Sequence, residues 1–202
     1  MTDQPPAVPD PASPDQIDPA SLRIVHYPAE VLRGKAKPVQ ASPAVVAVAD
    51  RMIELMLAAP GIGLAAPQVG LPWRLFVADV SDDDARNTPA KPGEPDTTTS
   101  GPEIYIDPVI GKPAGRPETM EEGCLSLPGI FADVTRPPTI SMTYTDRNGQ
   151  RVTRRATGLL ARCWQHEVDH LDGVLILDRM TKPDRLRAKP RLDKLEQAAN
   201  AS

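Results

Sequence analysis

The sequence predicts an α+β fold in which mixed or antiparallel sheets surround a central helix that carries a His-Glu-x-x-His motif. Two segments show apolar residues at helical spacing, one beginning after Ser42 and one after Thr157. Several shorter segments with apolar runs or alternation are typical of strands. The chain has 202 residues, a length that favours one ordinary domain.

The first helix is predicted between Ser42 and Pro60. Ser42 is a suitable N-cap, Pro43 fits the first helical position, and Pro60-Gly61 would end the helix. One face of this helix is apolar, which indicates packing on a core, and its members are Val45, Val46, Ala49, Met52, Ile53, Met56 and Leu57.

The strands are predicted from short apolar or alternating segments. Residues 74–80 and 103–107 are apolar runs of strand length. Residues 139–146 alternate, reach a turn at Asn148-Gly149 and are followed by a polar partner at 150–156, which predicts a hairpin.

The second helix is predicted from Thr157, a suitable N-cap, to Gly173, where the helix should stop. The apolar residues 174–177 that follow are predicted to form a short strand.

The chain divides into one domain with three additions. Residues 1–20 are rich in Pro and Asp and lack large apolar side chains, so they are predicted to be a disordered leader. The domain covers 21–180, with a solvated loop insertion at 81–102 that lacks apolar periodicity. Residues 181–202 form a basic C-terminal tail, since seven basic side chains stand against two acidic ones between Arg179 and Lys194.

Composition excludes several function classes. The 27 acidic and 23 basic residues give a net charge of −4, which excludes a globally basic protein that binds DNA. No segment approaches the roughly 20 uninterrupted apolar residues of a membrane helix. Two cysteines and the absence of a signal-peptide pattern predict a cytoplasmic location.

The strongest motif lies in the second helix, where His166 and His170 flank Glu167. Two imidazoles four residues apart lie on one helical face and can bind one metal ion. A hydrolytic metal site commonly has a third protein ligand.

The third ligand has few candidates. Ile176 occupies the place where metzincin proteases have a histidine, and Glu196, the only later glutamate, lies in a polar tail. Cys163 shares the helix and is expected in the wall of the site, since three ligands from one helix give poor tetrahedral geometry. Cys124, in a Gly-containing loop, would complete a Cys/His/His set as a thiolate.

Three segments, GIGLAAPQ at 61–68, EGCLS at 122–126 and QHEVDHLDG at 165–173, resemble the three signature motifs of peptide deformylases in order and spacing. The resemblance covers the chain from about Leu22 to Met180. It implies a metal-dependent hydrolase that removes the N-formyl group from the N-terminal methionine of new proteins and releases formate.

The resemblance also implies roles for single residues. Cys124, His166 and His170 would be the metal ligands, and Glu167 the general acid and base. Gln68 and the backbone amide of Leu125 would stabilise the oxyanion. The metal implied is one divalent ion, Fe²⁺ as the working metal in the cell, and the same donors suit Zn²⁺, Ni²⁺ and Co²⁺.

We expect the substrate to be the formylmethionyl end of a nascent peptide, bound in an apolar pocket beside the metal. The methionine-rich end of the first helix is expected to contribute to this pocket, together with Ile62, Gly63, Leu64, Leu159 and Cys163. The basic tail is a candidate for a weak contact with the ribosome.

Two alternative functions stay open at this point, a general metallopeptidase and an inactive, metal-stabilised binding protein. The presence of Glu167 argues against the second, because a structural zinc site usually closes with four protein ligands. Arg136 and Glu122 are candidates for an ion pair that braces the site, and Asp169 for support of the helix.

Overall fold

The computed structural model describes residues 13–88, 90–91 and 93–201, and it confirms the α+β class. The α-helices are α1 (Pro43–Ala58), α2 (Gly158–Leu171), α3 (Ile176–Arg179) and α4 (Lys182–Asn200). The strands are β1 (Gly63–Ala65), β2 (Leu75–Ala78), β3 (Glu103–Ile110), β4 (Glu118–Gly123), β5 (Phe131–Arg136), β6 (Thr139–Thr145) and β7 (Arg151–Thr157).

The strands form two sheets. One has five strands in the order β1-β2-β3-β6-β7, and the other is the hairpin of β4 and β5. Every strand pair in both sheets is antiparallel. The predicted hairpin of β6 and β7 is confirmed, with Thr139 opposite Thr157 and Gly149 at φ +78° in the turn.

The larger sheet lies between α1 and α2 because its central strands are apolar on both faces. In β2, Phe76 and Ala78 belong to the core that contains α2, whereas Leu75 and Val77 belong to the core that contains α1. A third core joins the small hairpin to α3 and α4.

The two helices predicted from the sequence, α1 and α2, begin and end where expected. The Ser42 hydroxyl accepts a hydrogen bond from the Val45 N–H at 3.3 Å, and Pro43 is the first residue of α1. α2 begins after Thr157 and ends before Gly173, which has φ +74° and lies against the backbone of Arg33.

The predicted strand at 174–177 is wrong. Ile176–Arg179 is the short helix α3, in which the Met180 N–H donates to the Ile176 carbonyl at 2.8 Å. The Asp178 carboxylate accepts the Leu175 N–H at 2.9 Å and so caps the turn. The apolar run is explained by burial in the third core rather than by strand pairing.

The C-terminal tail is helical. α4 continues through Pro190, although this proline has no N–H to donate to the carbonyl of Leu186. No helix among residues 13–88, 90–91 and 93–201 is long and apolar enough to cross a membrane.

The described part of the leader differs from the disordered segment expected. Pro14–Gln16 and Pro19–Ser21 are 3-10 turns, the second capped by Asp18, and Ile17 packs against the core that contains α1. Residues 1–12 lie outside the described residues.

Candidate active site

A cavity of about 570 Å³ lies beside α2, between β1, the loop that follows α1, and the β4–β5 hairpin. α2 presents one stripe of side chains to it, because residues three or four apart share a helical face. This stripe is formed by Leu159, Arg162, Cys163, His166 and Glu167.

The three predicted metal ligands come together beside the cavity, which Cys124 and His166 line. His166 and His170 lie on successive turns of α2, with ring centroids 5.0 Å apart. Cys124 follows the end of β4, and its Sγ lies 3.2 Å from the Nε2 of His170. Candidate ligand atoms of the three residues lie within 4.8 Å of one another.

This group fits a divalent transition metal. A tetrahedral ion with bonds of about 2.0–2.3 Å holds its ligand atoms roughly 3.5 Å apart, and one thiol with two imidazoles is a usual ligand set. Burial lowers the pKa of His170. The His170 ring is therefore neutral, as a metal ligand must be.

A buried ion-pair network supports His166. The Nδ1 atom of His166 lies 3.0 Å from Oε2 of Glu122. The other carboxylate oxygen of Glu122, Oε1, accepts hydrogen bonds from Arg136 Nε at 2.6 Å and from Arg162 Nη1 at 2.7 Å. Arg136 also pairs with Asp169 at 2.8 Å. Burial raises the pKa of Glu122, but hydrogen bonds from Arg136 and His166 outweigh it and lower the pKa, so the carboxylate stays ionised.

Glu167 lies inside the same cavity with only 3% of its surface exposed. Burial raises the pKa of its carboxyl to about 7. Its Oε2 atom has no hydrogen-bond partner among the described residues. Gly63 in β1 passes close to this carboxylate. A Cβ atom at position 63 would overlap Oε1 of Glu167 and lie 2.9 Å from the Sγ of Cys163, so a glycine is required there.

Gln68 and Leu125 lie on the opposite wall. The side-chain oxygen of Gln68 accepts the Ala65 N–H at 2.8 Å, and its Nε2 lies 3.3 Å from the Ser126 hydroxyl and 3.5 Å from the Cys124 sulfur. The amide is therefore held with its N–H₂ group toward the candidate metal ligands. Leu125 follows Cys124 directly and lines the cavity.

Four of the five residues expected to bind substrate line the cavity, namely Ile62, Gly63, Leu159 and Cys163. Leu64 does not, because alternation along β1 turns it to the α1 face, where it is fully buried. The methionines at the end of α1 also differ from expectation. Met52 and Met56 are fully buried in the α1 core and are absent from the cavity wall.

Sequence reasoning missed other parts of the site. It placed neither Phe131 nor the backbone of 128–130 in the cavity wall, where both are found. Arg86, from the predicted solvated insertion, also lines the cavity. No periodic signal marks these residues, since they lie in loops or at a strand end and are brought to the site by the tertiary fold.

The chain is similar to known proteins over most of its length. The sequence model described as polypeptide deformylase matches residues 21–186. A peptide deformylase of Hahella chejuensis is 43% identical over 176 residues, covering 87% of this chain and 96% of that protein. A peptide deformylase of Agrobacterium fabrum is 41% identical over 179 residues, covering 88% and 96%.

The fold is similar to solved structures as well. The structure of peptide deformylase from Plasmodium falciparum matches with a TM-score of 0.78 at 32% identity, covering 89% of this chain and 98% of that one. Together with the matched family model, these similarities show that the chain belongs to the polypeptide deformylase family.

Proposed function

We propose that this chain carries out its family's reaction, removal of the N-formyl group from an N-terminal methionine, with Cys124, His166 and His170 holding one divalent metal ion. The observation that carries the proposal is the convergence of one thiol and two imidazoles to within 4.8 Å beside the buried carboxyl of Glu167. The hydrolysis yields formate and a peptide with a free amino group.

Glu167 is the proposed proton carrier. When bound, the metal ion supplies a Lewis acid that makes water acidic near neutral pH. Glu167 takes the proton of the attacking water and delivers it to the departing amine. Its carboxyl suits both steps because burial brings its pKa to about 7, where proton uptake and release cost similar free energy.

Gln68 and Leu125 are the proposed oxyanion donors. The Gln68 Nε2 is held near Cys124, 3.5 Å from its sulfur, and the Leu125 amide is the next backbone donor in the chain. Fixed donors at the position where negative charge develops typically contribute about 10²- to 10³-fold in rate.

Fe²⁺ is the proposed working metal, by resemblance to the family, and the same donors suit Zn²⁺, Ni²⁺ and Co²⁺. Metal analysis of protein purified without oxygen tests this assignment. Iron near one equivalent per chain is the expected result, and zinc alone at full activity would contradict it.

The proposed partners are formylmethionyl nascent peptides in the cytoplasm, with a weak ribosome contact through α4. This helix exposes Lys182, Lys189 and Lys194, which ribosomal RNA phosphates would attract. Reversing these three charges to Glu should abolish salt-sensitive co-sedimentation with ribosomes and spare the turnover of short peptides. Unchanged co-sedimentation would remove this part of the proposal.

One assay separates deformylation from the alternatives. Formate release and internal peptide cleavage are measured in parallel on formyl-Met-Ala-Ser and on longer unformylated peptides. We expect formate from the first and no cleavage of the others. Internal cleavage would indicate a metallopeptidase, and neither product would indicate an inactive binding protein.

A further inference from the structure

The insertion at 81–102 contributes Arg86 to the catalytic cavity. Most of its described residues are exposed, and residues 96–99 attach it to the domain. The Asp96 N–H donates to the Arg155 carbonyl at 3.0 Å, and the Thr157 N–H donates to the Asp96 carbonyl at 2.8 Å. Thr97 is only 6% exposed. The insertion is thus held against β7, just before α2 begins.

Arg86 lies at the end of the cavity that is formed by the first turns of α2. Its neighbour Asn87 approaches Gly158, the first residue of α2, with its side-chain oxygen 3.8 Å from a Cβ built there. Burial raises the pKa of the Cys163 thiol, and the charge of Arg86 is among the groups that oppose this rise. Both observations agree with a position of Arg86 toward the start of α2 and the Cys163 side of the cavity.

We call the part of the cavity expected to hold the first side chain of the substrate the first-residue pocket, and it has two ends. Leu159, Cys163 and Glu167 follow one another along the cavity face of α2, at about 6 Å for each four-residue step. In a substrate whose formyl carbon lies at the Glu167 end, the first side chain can run along this face. A long, unbranched side chain such as that of methionine then ends in the region of Arg86.

The carboxylate of Asp84 orients the guanidinium of Arg86, and one of the guanidinium nitrogens still has N–H groups to donate. Its Nε lies 2.9 Å from Oδ1 of Asp84, and its Nη2 lies 2.5 Å from Oδ2 of the same carboxylate. Such a two-point contact fixes the plane of the guanidinium. Its Nη1 has no hydrogen bond to any residue that the structure describes.

We propose that Arg86 is a specificity-determining residue that closes the distal end of the first-residue pocket and hydrogen-bonds an acceptor at the tip of the substrate side chain. This inference rests on the proposed function. The sulfur of methionine is a weak acceptor and the oxygen of methionine sulfoxide is a strong one. Peptides that begin with oxidised formylmethionine are therefore a further substrate class, whereas formyl-norleucine has no acceptor for Arg86.

The test compares kcat/KM for formyl-methionine sulfoxide and formyl-norleucine peptides of otherwise identical sequence. The variant is Arg86→Met, which keeps an apolar stem and removes the donors. The control is Arg147→Met, since Arg147 is similarly exposed, 53% against 50%, and likewise pairs with one aspartate, but lies at the β6–β7 turn. The ratio of the two kcat/KM values cancels any general loss of activity.

We expect Arg86→Met to lower the sulfoxide-to-norleucine ratio at least about tenfold, the size of effect typical of one charge-assisted hydrogen bond. Arg147→Met should leave the ratio unchanged, and Arg86→Lys should restore part of it. An unchanged ratio in Arg86→Met would overturn the proposal.

A binding measurement separates this proposal from the proposed function. Calorimetry of the deformylated products, Met sulfoxide-Ala-Ser and norleucine-Ala-Ser, requires no turnover. If the wild-type chain releases no formate, the proposed function fails, and the binding ratio of the two products still decides the role of Arg86. A sulfoxide preference that Arg86→Met abolishes supports the proposal, and equal binding in both proteins refutes it.

Discussion

Nδ1 of His166 lies 3.0 Å from Oε2 of Glu122, and the two side chains are only 11% and 6% exposed. The ionised carboxylate accepts a hydrogen bond from the Nδ1–H of His166, which leaves Nε2 of His166 as the nitrogen available for a metal. Arg136 and Arg162 hold Glu122 in turn, at 2.6 and 2.7 Å. The orientation of one ligand is thus fixed by a chain of buried ion pairs.

Glu122→Gln is expected to weaken metal binding by about 10- to 100-fold, because the neutral amide holds the His166 ring less firmly and leaves two arginines with a poorer partner. Competition against a metal-buffering chelator measures this directly. Glu118→Gln is the control, since the side chain of Glu118 is exposed on β4. Equal affinities for the two variants would contradict the role assigned to Glu122.

Stability of the metal-free protein should depend on Glu167 in a defined pH range. Burial raises the pKa of this carboxyl from 4.5 to about 7, so the folded state binds its proton more tightly than the unfolded state. The contribution of this proton to the stability of the folded state is fully present below pH 4.5 and is lost as the pH rises through about 7.

The variant Glu167→Gln has no titrating group at this position. The free energy of unfolding of the variant, minus that of the wild type, should therefore increase by about 3 kcal/mol as the pH rises from 4.5 to above 7. Urea unfolding of both metal-free proteins across this range measures the difference. A difference that does not change with pH would show that Glu167 is not desolvated as the structure indicates.

The apolar pocket should select the first residue of the substrate. Leu159 is 2% exposed and forms this pocket with Ile62 and Cys163. Burial of a methionine side chain contributes about 1.5–3 kcal/mol, which predicts at least tenfold higher kcat/KM for formyl-Met than for formyl-Ala peptides. Leu159→Ala should reduce this preference, whereas Leu57→Ala, at an exposed position of α1, should not. Equal turnover of the two peptides by the wild type would contradict the pocket.

Truncation after Met180 should destabilise the fold. α4 contributes Ala188, Leu192 and Leu195 to the third core, and Glu196 accepts a hydrogen bond from the Tyr27 hydroxyl at 2.9 Å. Loss of this burial is expected to cost about 2 kcal/mol or more, visible as a lower Tm in calorimetry. A truncated protein with an unchanged Tm would show that α4 is dispensable for stability.

The sequence predicted the elements that are determined by residues close together in the chain. α1 and α2 are confirmed because their caps, prolines and apolar spacing agree with one another. The pairing of β6 with β7 is confirmed because the turn at Asn148-Gly149 lies between two strand-forming segments. The metal ligands come together as the motif on α2 and Cys124 imply.

What the sequence did not predict depends on tertiary contacts. Leu64 was assigned to the substrate pocket by its place in a motif, but the alternation of β1 directs it to α1. Residues 174–177 have strand composition, and a short apolar run does not distinguish a strand from a buried helical turn. The charges of Arg86 and Glu122 belong to no periodic sequence pattern. Only the tertiary fold places Arg86 in the cavity wall and Glu122 against His166.

The central claim is that Cys124 holds the metal while Glu167 moves the proton, and the two variants Glu167→Gln and Cys124→Ala test it most directly. Metal content and formate release from formyl-Met-Ala-Ser are measured together on each purified protein. We predict that Glu167→Gln keeps its metal and fold but loses at least about 10²-fold in rate, whereas Cys124→Ala loses metal affinity itself. A Glu167→Gln variant without metal beside a Cys124→Ala variant with full metal would contradict the assignment.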